Sequence, residues 1–296
     1  MKPDELRDLM GAEAEVRTRK LGEVLGLLES EDPRALQGAL ELLGHWRESA
    51  GMDLPAVALQ GARRLTEHKA PGVRAYACAA LALLTPAEEL PSSCAVLEKA
   101  LSLGPAEVRA EAAAALGDLK VGADALMPLL EDPVREVRFE AAFALAGQGQ
   151  NRALPTLMGF MADRRHRADA IEALHRLGGP DTRAGLLSWV GSWRLGWVER
   201  QALDAALVSM GDEEARTRLL SACERGRFER RVYAFHLAGR TGLREAEPIL
   251  WKSLKGRDDG LWGPAVEALR ALGQASALRS WALEAPEAQA ALIRGD

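Results

Sequence analysis

One ten-residue phrase returns along this 296-residue chain: VRAYACAALA from Val73, VRAEAAAALG from Val108, VRFEAAFALA from Val137 and HRADAIEALH from His166. Looser copies start at Glu199 (ERQALDAALV), Glu229 (ERRVYAFHLA) and Leu261 (LWGPAVEALR), and a degenerate first copy ends in ALELLG at Ala39. Anchored on the late leucine, the series runs Leu40, Leu81, Leu116, Leu145, Leu174, Leu207, Leu237 and Leu269, with intervals of 41, 35, 29, 29, 33, 30 and 32. A period near thirty constrains the fold more than any composition does. Each unit is one supersecondary element that cannot cover its apolar face alone and must stack on its neighbours.

Inside each phrase, small and apolar residues return at three- and four-residue spacing and β-branched residues are few, which is a helical pattern. Between phrases lie second apolar stretches such as ALMPLLED (125–132), ALPTLMGFMAD (153–163) and AEPILWKSL (246–254), set off by Gly, Pro, Asp or Asn. The unit is therefore a helix pair, A then B. Ala112, Ala142 and Ala170 are expected where one B helix approaches the next closely. Gly117, Gly147, Gly178, Gly239 and Gly273 are expected just past the B helices, as left-handed closing residues. The predicted fold class is all-α, an α-solenoid of eight or nine helix pairs forming a single domain over 1–296. Caps are expected at 1–32, with an amphipathic stretch at 4–29, and at 285–296.

The phrase VRxxAxxALG, preceded by a helix ending in Asp as in LMPLLEDPVREVR (126–138), resembles the HEAT repeat, and the short period is similar to that of phycobilin-lyase-like HEAT proteins. The likeness covers nearly the whole chain and is strongest from about 70 to 178. It implies a scaffold fold that serves adaptors, lyase subunits and nucleic-acid binders alike. In HEAT repeats the Arg of the phrase commonly contacts the Asp ending helix A, and Asp132 with Arg138 fits that spacing. Arg74, Arg109, Arg138, Arg167, Arg200 and Arg230 share this register. With Glu111, Glu140 and Asp169 two residues on, they are expected to form structural ladders of alternating sign.

Composition narrows the partners. A formal net charge of −5 and a pI near 5.7 argue against a generally basic coat for nucleic acid or membrane. No stretch approaches a membrane span, MKPDELRDLM has no signal-peptide core, and Cys78, Cys94 and Cys223 have no paired spacing. The expectation is a cytoplasmic protein, with richness in Ala, Leu, Gly and Arg hinting at a bacterium. The five histidines form no H-E-x-x-H and no cluster with Cys. Without a His-Glu dipeptide, the di-iron chemistry of HEAT-type deoxyhypusine hydroxylases is rejected. No phosphate-binding loop, dinucleotide fingerprint or G-x-S-x-G elbow occurs. Neither cofactor, metal nor catalytic residue is expected.

Trp189, Trp193 and Trp197 are spaced four apart, as if on one helical ridge. Matching Leu207 to Leu174, however, inserts four residues, Trp193 to Gly196, into an A–B turn. Trp189 is then expected in the core at the end of helix A, Trp197 half-buried at the start of helix B, and Trp193 exposed in an enlarged turn.

Stacked A–B turns share one edge. This places Arg164, Arg165, Arg194, Arg225, Arg227, Arg231, Lys252, Lys255 and Arg257 on one flank, among Trp193, Phe228 and Trp262. Residues 1–159 hold 17 basic and 24 acidic residues, net −7, whereas 160–262 hold 18 and 15, net +3. The edge is one candidate surface, suited to an acidic protein, nucleic acid or lipid. The other is an acidic concave B-helix face carrying Glu111, Glu140, Asp169, Glu172 and Asp204, suited to a basic partner. The sequence favours a non-catalytic scaffold or adaptor for a protein partner. The alternatives are a nucleic-acid binder, with alkylpurine DNA glycosylases as the enzyme resemblance and Trp193, Trp197 and Asp204 as its residues, and an accessory subunit of a bilin lyase.

Overall fold

The computed structural model describes residues 3–295; residues 1, 2 and 296 of the two expected caps lie outside them. Nineteen α-helices and no strand occur among the described residues. Ala and Leu, strong helix formers, fill the helices, and boundaries come from local chemistry. Pro33, Pro71, Pro91, Pro180 and Pro248 occupy the first turns, where a missing N–H costs nothing. Asp32 and Asp212 cap their helices, accepting from Arg34 N (3.0 Å) and Ala215 N (2.9 Å).

Two compact units are formed, Met1–Leu157 and Met158–Asp296. The first contains α1 (Pro3–Asp8), α2 (Ala14–Gly26), α3 (Pro33–Ala50), α4 (Ala56–Leu65), α5 (Pro71–Leu84), α6 (Leu90–Leu103), α7 (Ala106–Asp118), α8 (Ala123–Leu126) and α9 (Arg135–Gly147). Helix α10 (Leu154–Phe160) holds the division. The second contains α11 (Arg167–Leu177), α12 (Gly179–Leu187), α13 (Trp197–Ser209), α14 (Glu213–Arg225), α15 (Phe228–Thr241), α16 (Glu247–Leu254), α17 (Trp262–Ala271), α18 (Ala275–Ala282) and α19 (Glu287–Arg294). From α2 onward, even helices are A and odd helices are B. Consecutive B helices pack on one another, α3–α5–α7–α9 in the first unit and α11–α13–α15–α17 in the second. Each unit is thus an α-solenoid of helix pairs. All eight anchor leucines are buried, each contributing about 1.5–3 kcal/mol.

Ala112, Ala142 and Ala170 are fully buried, as close B–B approach requires. Two of the glycines do the same work and were misplaced by the sequence reading. Gly117 and Gly239 lie inside α7 and α15, not beyond them. A Cβ on Gly117 would stand 2.7 Å from Ala144 Cβ, and one on Gly239 3.1 Å from Ala268 Cα. Gly147 is the last residue of α9; the left-handed residue there is Gly149 (φ +70°). Gly178 and Gly273 do close their helices with positive φ.

The recurrent arginine has a uniform task. Helix A ends with carbonyls that lack intrahelical partners. The Arg of the following helix B donates to a carbonyl at the end of helix A or in the turn after it: Arg74 to Thr66 O, Arg109 to Gly104 O, Arg138 to Asp132 O, Arg167 to Met161 O and, within the inserted turn, Arg200 to Leu195 O, at 2.6–3.0 Å. In the next pair Arg231, not Arg230, takes the position, donating to Cys223 O at 3.0 Å. The expected Asp132–Arg138 contact is made, through the backbone of Asp132. Asp132's carboxylate is held by Arg109 of the preceding pair through two bonds of 2.8 and 2.9 Å, and Arg138 uses the carbonyl instead.

Candidate functional site

The A–B turns of the second unit touch one after another. Arg167 donates to Arg194 O, Gln201 Nε2 to Arg230 O (3.1 Å), and Arg231 to Ser253 Oγ (2.8 Å). The ring of Phe228 lies so near Gly260 that a Cβ there would meet Phe228 Cε2 at 2.7 Å. The A–B turns at 163–167, 192–197, 224–231 and 252–262 are therefore neighbours in succession.

Trp193 is the most exposed aromatic on it, at 84%. The cause lies two residues on: Leu195 of the same insertion is buried, and anchoring it turns Trp193 outward. The Arg194 guanidinium sits 5.5 Å from the Trp193 ring centre. Trp189 is not core. It lies past the end of α12, half-buried, with the Arg167 guanidinium 6.0 Å from its ring. Trp197 opens α13 half-buried, edge-on to Tyr233 at 6.1 Å.

Arg164, Arg165, Arg194, Arg225, Arg227, Lys252 and Arg257 are exposed on this edge. Arg225 meets Glu224 at 3.4 Å. Arg164, Arg165, Arg227, Lys252 and Arg257 make no ion pair among the described residues. Three sequence candidates are already engaged. Arg231 is the carbonyl staple, Lys255 lies over Trp251 and Trp281 (5.3 and 5.7 Å), and Trp262 is half-buried with Nε1 donating to Gly256 O at 3.0 Å.

The acidic candidates are divided between the two units. Glu111 and Glu140 belong to the first unit, and Asp169, Glu172 and Asp204 to the second. Glu172 is bonded by Arg240 and lies 3.2 Å from Arg176. Against the upward push of its burial, Arg240 foremost holds that carboxyl below the usual range. Asp204 turns toward α14, accepting from Arg218 at 2.8 Å; its burial outweighs that bond and pushes its pKa up. Glu111 and Asp169 are exposed.

A cleft of about 300 Å³ on the edge escaped the sequence reading. It opens where Trp197, Arg200 and Gln201 of α13 face Arg218 and Arg225 of α14, with Arg230 of α15 beside them. The signal was present: 197, 200 and 201 form one helical face, as do 218, 221, 222 and 225.

Among the described residues no three of His, Cys, Asp and Glu gather as a metal site. Burial pushes the Cys78 and Cys223 thiols up to about 12, far from thiolate chemistry at neutral pH. No described helix is long and apolar enough to cross a membrane.

A family profile of HEAT repeats matches residues 95–167 and 123–205, so HEAT repeats occupy the middle of the chain. No curated protein matches the sequence. Solved structures similar in fold include Escherichia coli YibA, with a TM-score of 0.53, 16% identity, and 92% of this chain and 96% of that one covered. The complex of CpcE and CpcF of phycocyanin lyase from Nostoc sp. PCC7120 gives 0.51 and 18%, covering 82% and 94%. Kap121p bound to Pho4p gives 0.57 and 14%, covering 90% of this chain and 36% of that one. At these identities the likeness is one of fold alone.

Proposed function

We propose that this chain, with HEAT repeats through its middle, is a non-catalytic scaffold whose second unit docks an acidic segment of a protein partner along the A–B edge. The observation that carries this is Trp193, 84% exposed with the Arg194 guanidinium 5.5 Å from its ring centre. Keeping a large ring in water forgoes about 1.5–3 kcal/mol of burial, and Trp with Arg are the side chains on which interfaces concentrate their energy. Arg164, Arg165, Arg227 and Lys252, in the other A–B turns of the edge, would steer an acidic surface and fix its register. The edge offers charge and aromatic surface, the means of recognition rather than of bond cleavage. Kap121p bound to Pho4p shows a neighbour in fold holding a protein.

Affinity purification of wild type and Trp193→Ala from the native cell, with quantitative mass spectrometry, tests the reading. The wild type should retain an acidic protein that the variant recovers at least about tenfold less, the factor set by 1.4 kcal/mol. Equal recovery removes Trp193 from binding, and nucleic acid recovered in place of protein transfers the edge to the nucleic-acid reading.

A further inference from the structure

The α13–α14 cleft has a composition that stacking alone does not require. Four guanidiniums, those of Arg200, Arg218, Arg225 and Arg230, line a space of about 300 Å³ with Trp197 and Gln201. Nearby acids offset them incompletely. Arg218 is bonded to Asp204 and lies 3.6 Å from exposed Glu214, and Arg225 meets exposed Glu224 at 3.4 Å. Arg200 bonds only to the carbonyls of Leu195 (3.0 Å) and Ser192 (3.2 Å), and Arg230 lies 5.8 Å from the Trp197 ring centre. Neither has a carboxylate partner among the described residues.

Two buried polar atoms are also left over. Gln201 is 8% exposed, and while its Nε2 donates to Arg230 O, its Oε1 has no partner; Arg218 Nη2 has none either. Buried unpaired polar atoms are rare enough to call for a missing partner.

We propose that this cleft binds the phosphoryl group of a phosphorylated side chain carried by the protein partner. The inference rests on the edge reading above and names the group that the edge selects. A phosphoryl group presents three acceptor oxygens and up to two negative charges, matching several arginines around one cleft better than a carboxylate with two oxygens and one charge. The wall of Trp197 gives the carbon portion of the side chain a surface.

Phenyl phosphate is the probe, titrated against the full chain while the indole N–H resonance of Trp197, assigned with Trp197→Phe, is followed by NMR. Saturable shifts are expected that weaken with salt. Arg225→Gln with Arg230→Gln should weaken binding at least about tenfold, a step of 1.4 kcal/mol. Both positions leave the carbonyl staples in place, and unchanged thermal unfolding confirms that. Benzoate should bind at least about tenfold more weakly. Equal binding of benzoate, or shifts that survive the double variant, overturns phosphoryl selection, as does no shift at all. Trp193-dependent protein capture would still stand in those cases. Conversely, phosphoryl binding with no protein recovered would defeat the edge reading and keep a small-anion site.

Discussion

The two units are made by the same repeat, and both spend arginines on cohesion, but the second also carries a basic A–B edge. In the first, Arg63 reaches Glu89 and Ser93 at 3.0 Å, Arg64 reaches Glu29 at 2.6 Å and Leu28 O at 2.8 Å, and Arg109 holds Asp132 and Gly104 O. These charges are consumed by cohesion between neighbouring helix pairs. The second is held in the same way, by Arg183 to Asp212 at 2.6 Å, Arg216 to Glu245 at 3.1 Å and Arg240 to Glu172, and its A–B edge adds Arg164, Arg165, Arg227, Lys252 and Arg257, which make no ion pair among the described residues. A four-residue insertion adds Trp193 among them. What a repeat holds constant is structural, and what one unit has in excess is where recognition should be sought.

The contrast breaks most visibly at Arg109. Arg109→Ala leaves the 8%-exposed Asp132 without its cation and should cost about 3 kcal/mol in urea unfolding, whereas Arg164→Ala should fall within about 0.5 kcal/mol. If both cost the same, the charges of the two units do equivalent work. The pH dependence sharpens this. Arg109's hydrogen bond, foremost, holds Asp132 below its ordinary 3.8. A depressed carboxylate stabilises the fold above the ordinary value, and that stability is lost as pH falls through the folded pKa. The deficit of Arg109→Ala should therefore be full at neutral pH and shrink below about pH 4; an undiminished deficit in acid would show that packing, not charge, is lost.

Close B–B packing comes next. Gly117→Ala must displace Ala144 and should cost about 1–3 kcal/mol despite the better helix propensity of Ala. Gly147→Ala, with nothing within 4 Å of the new Cβ, should be neutral or stabilising by up to about 1 kcal/mol. Melting temperatures moving in the same direction would refute the distinction between the two glycines. The smallest effect is expected at Trp193, where Ala should change stability by less than about 0.5 kcal/mol, since the ring covers little of the core. A larger loss would mean that the ring folds back.

The fold was legible because helical period and repeat length are both one-dimensional. The anchor leucines, the positions of the eight B helices from α3 to α17 and the break of the tryptophan ridge follow from counting. What failed depends on partners across the stack. Nothing local distinguishes a glycine that closes a helix from Gly117, which faces Ala144, or Arg138 from Arg109 as the partner of the Asp132 carboxylate. Arg230 and Arg231 are adjacent, and only the path of the turn decides that Arg231 bonds inward while Arg230 lies beside the cleft. The cleft itself went unread because its two stripes, on α13 and α14, are separated by a turn and meet only in space.

Position-specific photo-cross-linking in the native cell tests the central claim most directly. A benzophenone amino acid replaces Trp193, or Leu103, which is 70% exposed at the end of helix A in the first unit. The asymmetry between the units predicts one discrete protein adduct from position 193 and none from 103. Adducts of equal yield from both, or nucleic acid captured at 193, would contradict it.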